Sequence, residues 1–441
     1  MFRVIRISLL MLLFILSSFA VVEAQTVTPS IKVLTVKSAI NPVIAGFIKR
    51  GIEQAEAEKA VACIIQLDTP GGLDSAMRDI VQVIVSSRVP VVVYVSPAGA
   101  RAASAGVFIT MAAHVAAMAP NTAIGAASPV SIGSEGEQQM SDTMKEKVFN
   151  DASAYIRSLA EGHGRNMDWA EKAVRQAVSA TEQEALSLKV IDIVAADMDS
   201  LVSRLDGRQV EMLGGARITL KTNGVPVDRI EMGWIEDLLN TISEPNIAYL
   251  LLSIAMMGIM AEIFNPGLIF PGVVGGISLL LAFFGLGMLP VNWAGILLIV
   301  LAFALFIAEA LTPGFGLLLG GGIVSLVIGS LILFKGDSTI FRIDPWLIAV
   351  VTIILAGFFG FILERVIRSH RRQAKTGREE LMGKTAVVRT ALEPEGSVFF
   401  KGELWSARTD GDTIEPGEEV NIAGMDGLVL HVKRKKPKEK D

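Results

Sequence analysis

Two short segments of the 441-residue chain concentrate the residue types that could do chemistry. One is Asp68-Thr69-Pro70-Gly71-Gly72, which follows an apolar run. Paired glycines let a backbone approach a ligand and present its N–H groups; they also make a tight strand-to-helix turn. The other is Gly99-Ala100-Arg101-Ala102-Ala103-Ser104-Ala105-Gly106, again after an apolar run. Here a lone hydroxyl is surrounded by small side chains that leave room for a second molecule. Ser104 suits two roles, nucleophile or helix cap. A serine nucleophile needs a base at neutral pH. Residues 25–240 hold His114 and His163; neither has a carboxylate orienter nearby in sequence. His114 reads as structural, and His163, in Glu161-Gly162-His163-Gly164, as solvated. A lysine is the other possible base. Lysine in water has a pKa of ~10.4, so a lysine base must be desolvated or set near positive charge. Lys145 and Lys147 are both candidates, and the residues alone do not choose between them.

These groups sit on an alternating pattern. Ile31–Val36 is a short apolar run, 42–58 suits a helix, Val61–Leu67 a buried strand and 73–86 a helix. Val91–Val95 and Val115–Met118 suit strands, with a short helix over Gly106–Ala112 between them. Such alternation predicts a parallel sheet with crossover helices. Functional groups in these folds collect at strand C-terminal ends, where both segments fall. Lys147 begins a helix with Val148, Ala152, Tyr155, Ile156 and Leu159 on one side. Residues 129–143, rich in Ser, Gly, Glu and Gln, suit a loop over the cleft or a plain connector. The single cysteine, Cys63, excludes an intrachain disulfide and a Cys-rich metal site; its apolar neighbours predict a core residue.

The N-terminus reads as a signal peptide: Arg3 and Arg6, an apolar stretch over 8–22, and Val22-Glu23-Ala24 before Gln25. Residues 25–240 are then exported. Five apolar segments follow, near 247–264, 268–287, 292–311, 315–334 and 346–363. Each approaches the ~20 residues needed to cross a bilayer. Trp234, Trp293 and Trp346 stand at alternate span starts and predict one interfacial belt. Arg365, Arg368, Arg371, Arg372, Lys375 and Arg378 mark a cytoplasmic side. An exported N-domain plus five crossings leads to the same side. Within the spans, Ala261-Glu262-Ile263-Phe264-Asn265-Pro266-Gly267 recurs as Ala308-Glu309-Ala310-Leu311-Thr312-Pro313-Gly314. This repeat predicts two similarly oriented helical hairpins. Glu262 and Glu309 are either intramembrane functional groups or partners of the turn backbone. Gly320-Gly321-Gly322 suits close helix packing.

Beyond the basic run, Gly383–Arg389, Ser397–Phe400, Leu404–Arg408, Val420–Ala423 and Leu428–Val432 read as short strands, which suggests a small β-barrel. Phe399, Phe400 and Trp405 suit its core. Without a strong aromatic-basic face, a protein-interaction module is preferred to a nucleic-acid binder. The Lys433–Lys440 tail suits solvent or a lipid surface.

Val61–Gly72 (VACIIQLDTPGG), Val92–Gly106 (VVYVSPAGARAASAG), Met118–Ser128 (MAPNTAIGAAS) and Lys147–Asn166 (KVFNDASAYIRSLAEGHGRN) resemble four blocks of one family. The N-terminal domain is similar to the Clp-peptidase/crotonase superfamily, and most closely to the long NfeD family of membrane-bound serine proteases. The resemblance runs from about residue 30 to 435. It implies an α/β Clp-peptidase-like domain, a polytopic α-helical membrane domain and a small all-β OB-like barrel. The implied segments are 1–24 signal peptide, 25–230 protease domain, 231–364 membrane domain, 365–378 basic linker, 379–435 barrel and 436–441 tail. It further implies Ser104 as nucleophile, Lys147 as general base, and the amides of Gly72 and Ala105, beside Gly71, as the oxyanion and substrate-backbone site. No cofactor or metal is implied. Arg101 departs from the smaller residue expected there and could influence substrate choice.

The expected function is therefore a membrane-bound Ser–Lys endopeptidase cleaving apolar peptide segments of membrane-proximal substrates. The expected partners are membrane lipid, a stomatin-like membrane protein and further copies of the chain, with no nucleic acid. The expected place is a bacterial inner membrane, with the protease domain periplasmic and the barrel cytoplasmic. A non-enzymatic membrane scaffold and a transporter are the competing classes.

Overall fold

The structure, a computed structural model, describes residues 29–129, 142–264, 267, 269–312, 316–334, 341–371 and 381–435. The expected signal peptide, most of the 129–143 connector and the extreme tail lie outside the described residues.

The sheet is built from runs that are apolar on both faces. It contains β1 (Ile31–Lys37), β2 (Ala62–Asp68), β3 (Val91–Val95), β5 (Val115–Met118), β8 (Ile193–Val194) and β11 (Val227–Ile230). The order is β11-β1-β2-β3-β5-β8, and every neighbouring pair is parallel. Alternate residues face opposite sides. Cys63, Ile65, Leu67, Val91, Val93 and Val95 enter one core, while Ala62, Ile64, Val92 and Tyr94 enter the other. Burial on both sides explains why these strands read as unbroken hydrophobic runs. Burial also pushes the Cys63 thiol up to about 12, so it is an inert core group.

The first core is covered by α1 (Pro42–Ala57), α2 (Asp74–Ser86), α3 (Ala105–Ala112), α4 (Asp142–Gly162) and α5 (Met167–Arg175). The second is closed by α7 (Met198–Leu205), which follows α6 (Glu182–Ser187). A smaller sheet joins β4 (Arg101–Ala103), β6 (Ala123–Gly125) and β7 (Ser179–Thr181); β9 (Gln209–Glu211) and β10 (Arg217–Thr219) form a hairpin. Helix α4 starts five residues before Lys147, so that lysine lies in its second turn rather than at its start.

A separate amphipathic helix, α8 (Trp234–Ile242), precedes the apolar region and was not legible from hydropathy alone. Among the described residues five helices follow: α9 (Pro245–Phe264), α10 (Ile269–Gly287), α11 (Trp293–Leu311), α12 (Leu317–Leu331) and α13 (Pro345–Arg371). Among the described residues, α9, α10 and α11 are long and apolar enough to span a bilayer; α12 and the apolar part of α13 are shorter. Both repeats form hairpins. A Cβ on Gly258 would lie 2.8 Å from Gly275 Cα, so α9 and α10 touch backbone to backbone. In the Gly320-Gly321-Gly322 run only Gly322 is required for packing, since a Cβ there would meet Phe306 at 2.4 Å; Gly320 has open space.

The repeated glutamates have a structural explanation. Glu309 is 3% exposed. Its carboxylate accepts from the amides of Gly316 (2.8 Å), Leu318 (2.9 Å) and Leu319 (3.2 Å), capping the start of α12. Glu262 accepts more weakly from Gly267 (3.4 Å) and packs on Gly272. Orphan amides at a helix start favour an anion.

The C-terminal unit is a closed five-stranded barrel of order β12-β13-β14-β16-β15. Its strands are β12 (Thr385–Thr390), β13 (Glu395–Phe400), β14 (Glu403–Thr409), β15 (Glu419–Asp426) and β16 (Val429–Arg434). Phe400 and Trp405 join the core as expected. Phe399 instead lies outside, with the Arg389 guanidinium 5.1 Å from its ring centroid.

Candidate active site

The two glycine- and serine-bearing segments leave adjacent strands, β2 and β3, at their C-terminal ends and then join each other. The Thr69 amide donates to Arg101 O (2.8 Å), and the Ala103 amide donates to Thr69 O (3.1 Å). The Arg101 amide donates to Asp68 Oδ1 (3.1 Å). This ladder holds Ser104 beside Gly71. A Cβ on Gly71 would stand 2.7 Å from Ser104 Cβ and 3.2 Å from its Oγ. Gly71 also has φ +121°, which disfavours any other residue. Gly106 is fixed similarly, since a Cβ there would lie 2.7 Å from Thr69 Cγ2.

Ser104 has φ 52° and ψ −113° and makes no side-chain cap for α3. The cap reading of this hydroxyl therefore fails. Such a conformation at a non-glycine residue costs about 1–3 kcal/mol and persists only where its surroundings enforce it. Here the Ser104 amide donates to Gly125 O (3.1 Å), and its carbonyl accepts from Val107 (3.0 Å). The turn aims Ser104 into a cleft at the N-terminus of α3. Ala105 opens that helix, so its N–H has no intrahelical acceptor.

Gly71 and Gly72 do different jobs. The Gly71 amide donates to Thr69 Oγ1 (3.1 Å), and its carbonyl accepts from Ile40 (2.8 Å). Its polar groups are thus engaged within the chain and do not offer an edge to an extended peptide. Gly72 follows in a bridge to Ile40; a Cβ there would lie 2.1 Å from Ile40 O.

The cleft has a volume of about 520 Å³ and contains both Ser104 and Lys147 in its walls, together with Gly72, Ala105, Met77 and Phe108. Lys147 is exposed on α4. Lys145 does not line this cleft, so the structure separates the two lysines that the sequence left equivalent. Arg101 does not line it either: it faces a second cleft with Lys37, Pro70 and Asn240. Closeness in sequence placed Arg101 beside Ser104, but the turn at Ser104 sends the two side chains to different cavities.

Three polar residues of the cleft carried little signal in the sequence. Arg78 on α2 donates to Asp74 Oδ2 (2.8 Å) and to Asp151 Oδ2 (2.5 Å), and its guanidinium lies 4.7 Å from the Tyr155 ring centroid. Asp151 is one helical turn from Lys147, so Arg78 ties the lysine-bearing helix to the glycine-loop helix. Only the Asp74–Arg78 spacing was legible as an i,i+4 pair.

The histidines lie elsewhere. His114 Nδ1 accepts from the Val91 amide (3.1 Å). The His163 ring packs edge-on against His114, with centroids 5.8 Å apart, so the turn residue is half-buried rather than freely solvated. Burial, then the neighbouring Arg165 charge, lowers each to about 4. Arg165 is buried and donates to Met111 O (2.7 Å) and Asp192 Oδ2 (2.7 Å). Among the described residues, no group of three His, Cys, Asp or Glu could hold a metal ion.

Three family models match successive parts of the chain: the NfeD1b N-terminal domain over 30–203, the NfeD integral membrane domain over 246–365, and the NfeD-like C-terminal, partner-binding domain over 378–434. The chain is 39% identical to the membrane-bound protease PH1510 of Pyrococcus horikoshii, covering 98% of each. It is 26% identical to the membrane protein NfeD1b of Bacillus subtilis, covering 96% of this chain and 97% of that one. A solved structure of the 1510-N membrane-bound stomatin-specific protease, a lysine-to-alanine mutant with a substrate peptide, is 37% identical. It covers 49% of this chain and 98% of its own, with a TM-score of 0.45.

Proposed function

Because the chain belongs to the NfeD family and is a membrane-bound serine peptidase, we propose that Ser104 is its nucleophile and Lys147 its general base. The carrying observation is that the strained, non-capping Ser104 and Lys147 line one cleft. The Lys147 amine takes the Ser104 proton as Oγ attacks the scissile carbonyl carbon. The amides of Ala105 and Gly72 stabilise the resulting oxyanion; Gly71, whose amide is engaged, provides the space beside Oγ instead. Lys147 then gives the proton to the leaving amine, and the peptide C–N bond breaks. A water, deprotonated by Lys147, hydrolyses the Ser104 ester and restores the enzyme.

The N-terminal domain is exported, five helices cross a bacterial inner membrane and the barrel is cytoplasmic, in this reading. The exposed Trp234, Trp293 and Trp346 support a common interfacial belt. Tethering through 208–246 concentrates the site near the bilayer and favours extended, apolar segments of membrane-proximal substrates. A stomatin-like protein is the proposed partner of the barrel, in keeping with the partner-binding family match, and a homo-oligomer is the proposed working form. A serine-directed phosphonate applied to the full chain should label Ser104; labelling elsewhere, or none, sinks the assignment. Digestion of intact spheroplasts should remove 25–240 and spare 380–441; equal fates for both segments sink the topology.

A further inference from the structure

The wall of the catalytic cleft is not built from the protease domain alone. Phe341, from the segment between α12 and α13 of the membrane domain, lines the same cavity as Ser104 and Lys147. It is 7% exposed, so its ring is packed. It also lines the second cleft, which holds Pro70, Arg101 and Asn246. One aromatic ring therefore separates the catalytic cleft from a more polar cavity at the junction with the membrane domain.

The placement is anchored on both sides. Three residues beyond Phe341, the Asp344 amide donates to Asn246 Oδ1 (2.9 Å), while Asn246 Nδ2 donates back to Asp344 Oδ2 (2.9 Å). Asn246 lies in the first turn of α9, directly after α8. Helix α8 is in turn locked to the protease domain. Asn41 Nδ2 donates to Asn240 Oδ1 (2.9 Å), and Arg50 donates through Nε (2.8 Å) and Nη2 (2.6 Å) to the two oxygens of Glu236. These bonds connect α1 to α8, α8 continues into α9, and α9 holds the Phe341 segment over the cleft.

We propose that Phe341 is a specificity-determining residue of the peptidase: the apolar wall of a subsite for a large apolar side chain of the substrate. The inference rests on the Ser104 reading above and adds a contribution from the membrane domain. Met77 and Phe108, both buried in the protease core, supply apolar surface within the same cleft. A substrate side chain between them and Phe341 loses water on both faces. A single apolar contact of this kind typically changes discrimination by about 10–200-fold. The protease domain without its membrane domain lacks that wall.

The test uses the full chain in lipid nanodiscs and a peptide series with Phe, Leu or Ala at each residue flanking the cut. Phe341→Ala should lower kcat/KM for the Phe and Leu peptides about tenfold or more, mainly through KM. The loss on the Ala peptide should be under about threefold. Phe341→Leu should restore part of the discrimination, and Asn246→Ala, which frees the anchor outside the catalytic cleft, should weaken it. An equal change on all peptides, no change, or a general gain with Phe341→Ala would overturn the proposal; a general gain would mark the ring as a plug. Ser104→Ala, run beside them, separates this outcome from the parent reading: if it cleaves like wild type, the Ser104 assignment has failed, whereas its inactivity with an unselective Phe341→Ala removes only the subsite.

Discussion

Gly71 and Ser104 are packed so closely that a methyl group on Gly71 would lie 2.7 Å from Ser104 Cβ. The glycine loop therefore fixes the position of the proposed nucleophile by contact. Gly71→Ala must displace Ser104 and adopt φ +121° as well. The expected result is a loss of about 10²-fold or more in kcat, since a small misplacement of a reacting group is enough. Destabilisation should stay near the 1–3 kcal/mol of a strained residue. Cleavage rates and thermal unfolding of the same preparation check both.

Arg78→Ala and Asp151→Ala test the tether between α2 and α4. The Asp151 carboxylate is exposed, so the pair should contribute only about 0.2–1 kcal/mol to stability. Its expected effect is on kcat, about tenfold, because Lys147 lies one turn away on the same helix. The double variant should be no worse than either single one. A loss of melting temperature with unchanged kcat would make the tether purely structural.

The His114–His163 pair sets a pH dependence. Both are lowered from 6.5 to about 4, chiefly by burial, so they fold neutral. The unfolded chain binds these protons more readily than the folded one between pH ~6.5 and ~4. Stability is therefore full above the unfolded value and lost as pH falls through that window, then levels off below ~4. For His114 the loss is on the order of 3 kcal/mol. Thermal unfolding from pH 8 to 4 should show it, and His114→Gln should flatten the slope; an unchanged slope contradicts the assignment.

Glu309→Ala leaves the Gly316, Leu318 and Leu319 amides without their acceptor. A destabilisation of about 1–3 kcal/mol is expected, with Glu309→Gln milder. In nanodiscs at a temperature where the chain stays folded, kcat should be preserved. Abolished cleavage in a folded Glu309→Gln protein would restore a functional role to this carboxylate.

The fold was legible where burial leaves a pattern. Val91–Val95 and Val115–Met118 are strands with the bounds expected, because both faces are buried and the runs stay apolar. The repeat around Glu262 and Glu309 similarly announced two hairpins. What sequence could not carry was direction and distance in space. Arg101 is three residues from Ser104 yet faces another cavity, while Phe341 lies more than two hundred residues away and shares its cleft. Lys145 and Lys147 are chemically equivalent until the helix turns one of them into the cleft. His163 looked solvated because flanking glycines give no hint of the buried Arg165 beneath it.

The most direct test is the cleavage rate of one peptide by the full chain in four forms: Ser104→Ala, Lys147→Ala, the double variant and Lys145→Ala. Dyad members act as a unit, so each single loss should be about 10³-fold or more and the double variant no worse, while Lys145→Ala stays near wild type. Near-wild-type cleavage by folded Lys147→Ala, or a loss confined to Lys145→Ala, would contradict the account.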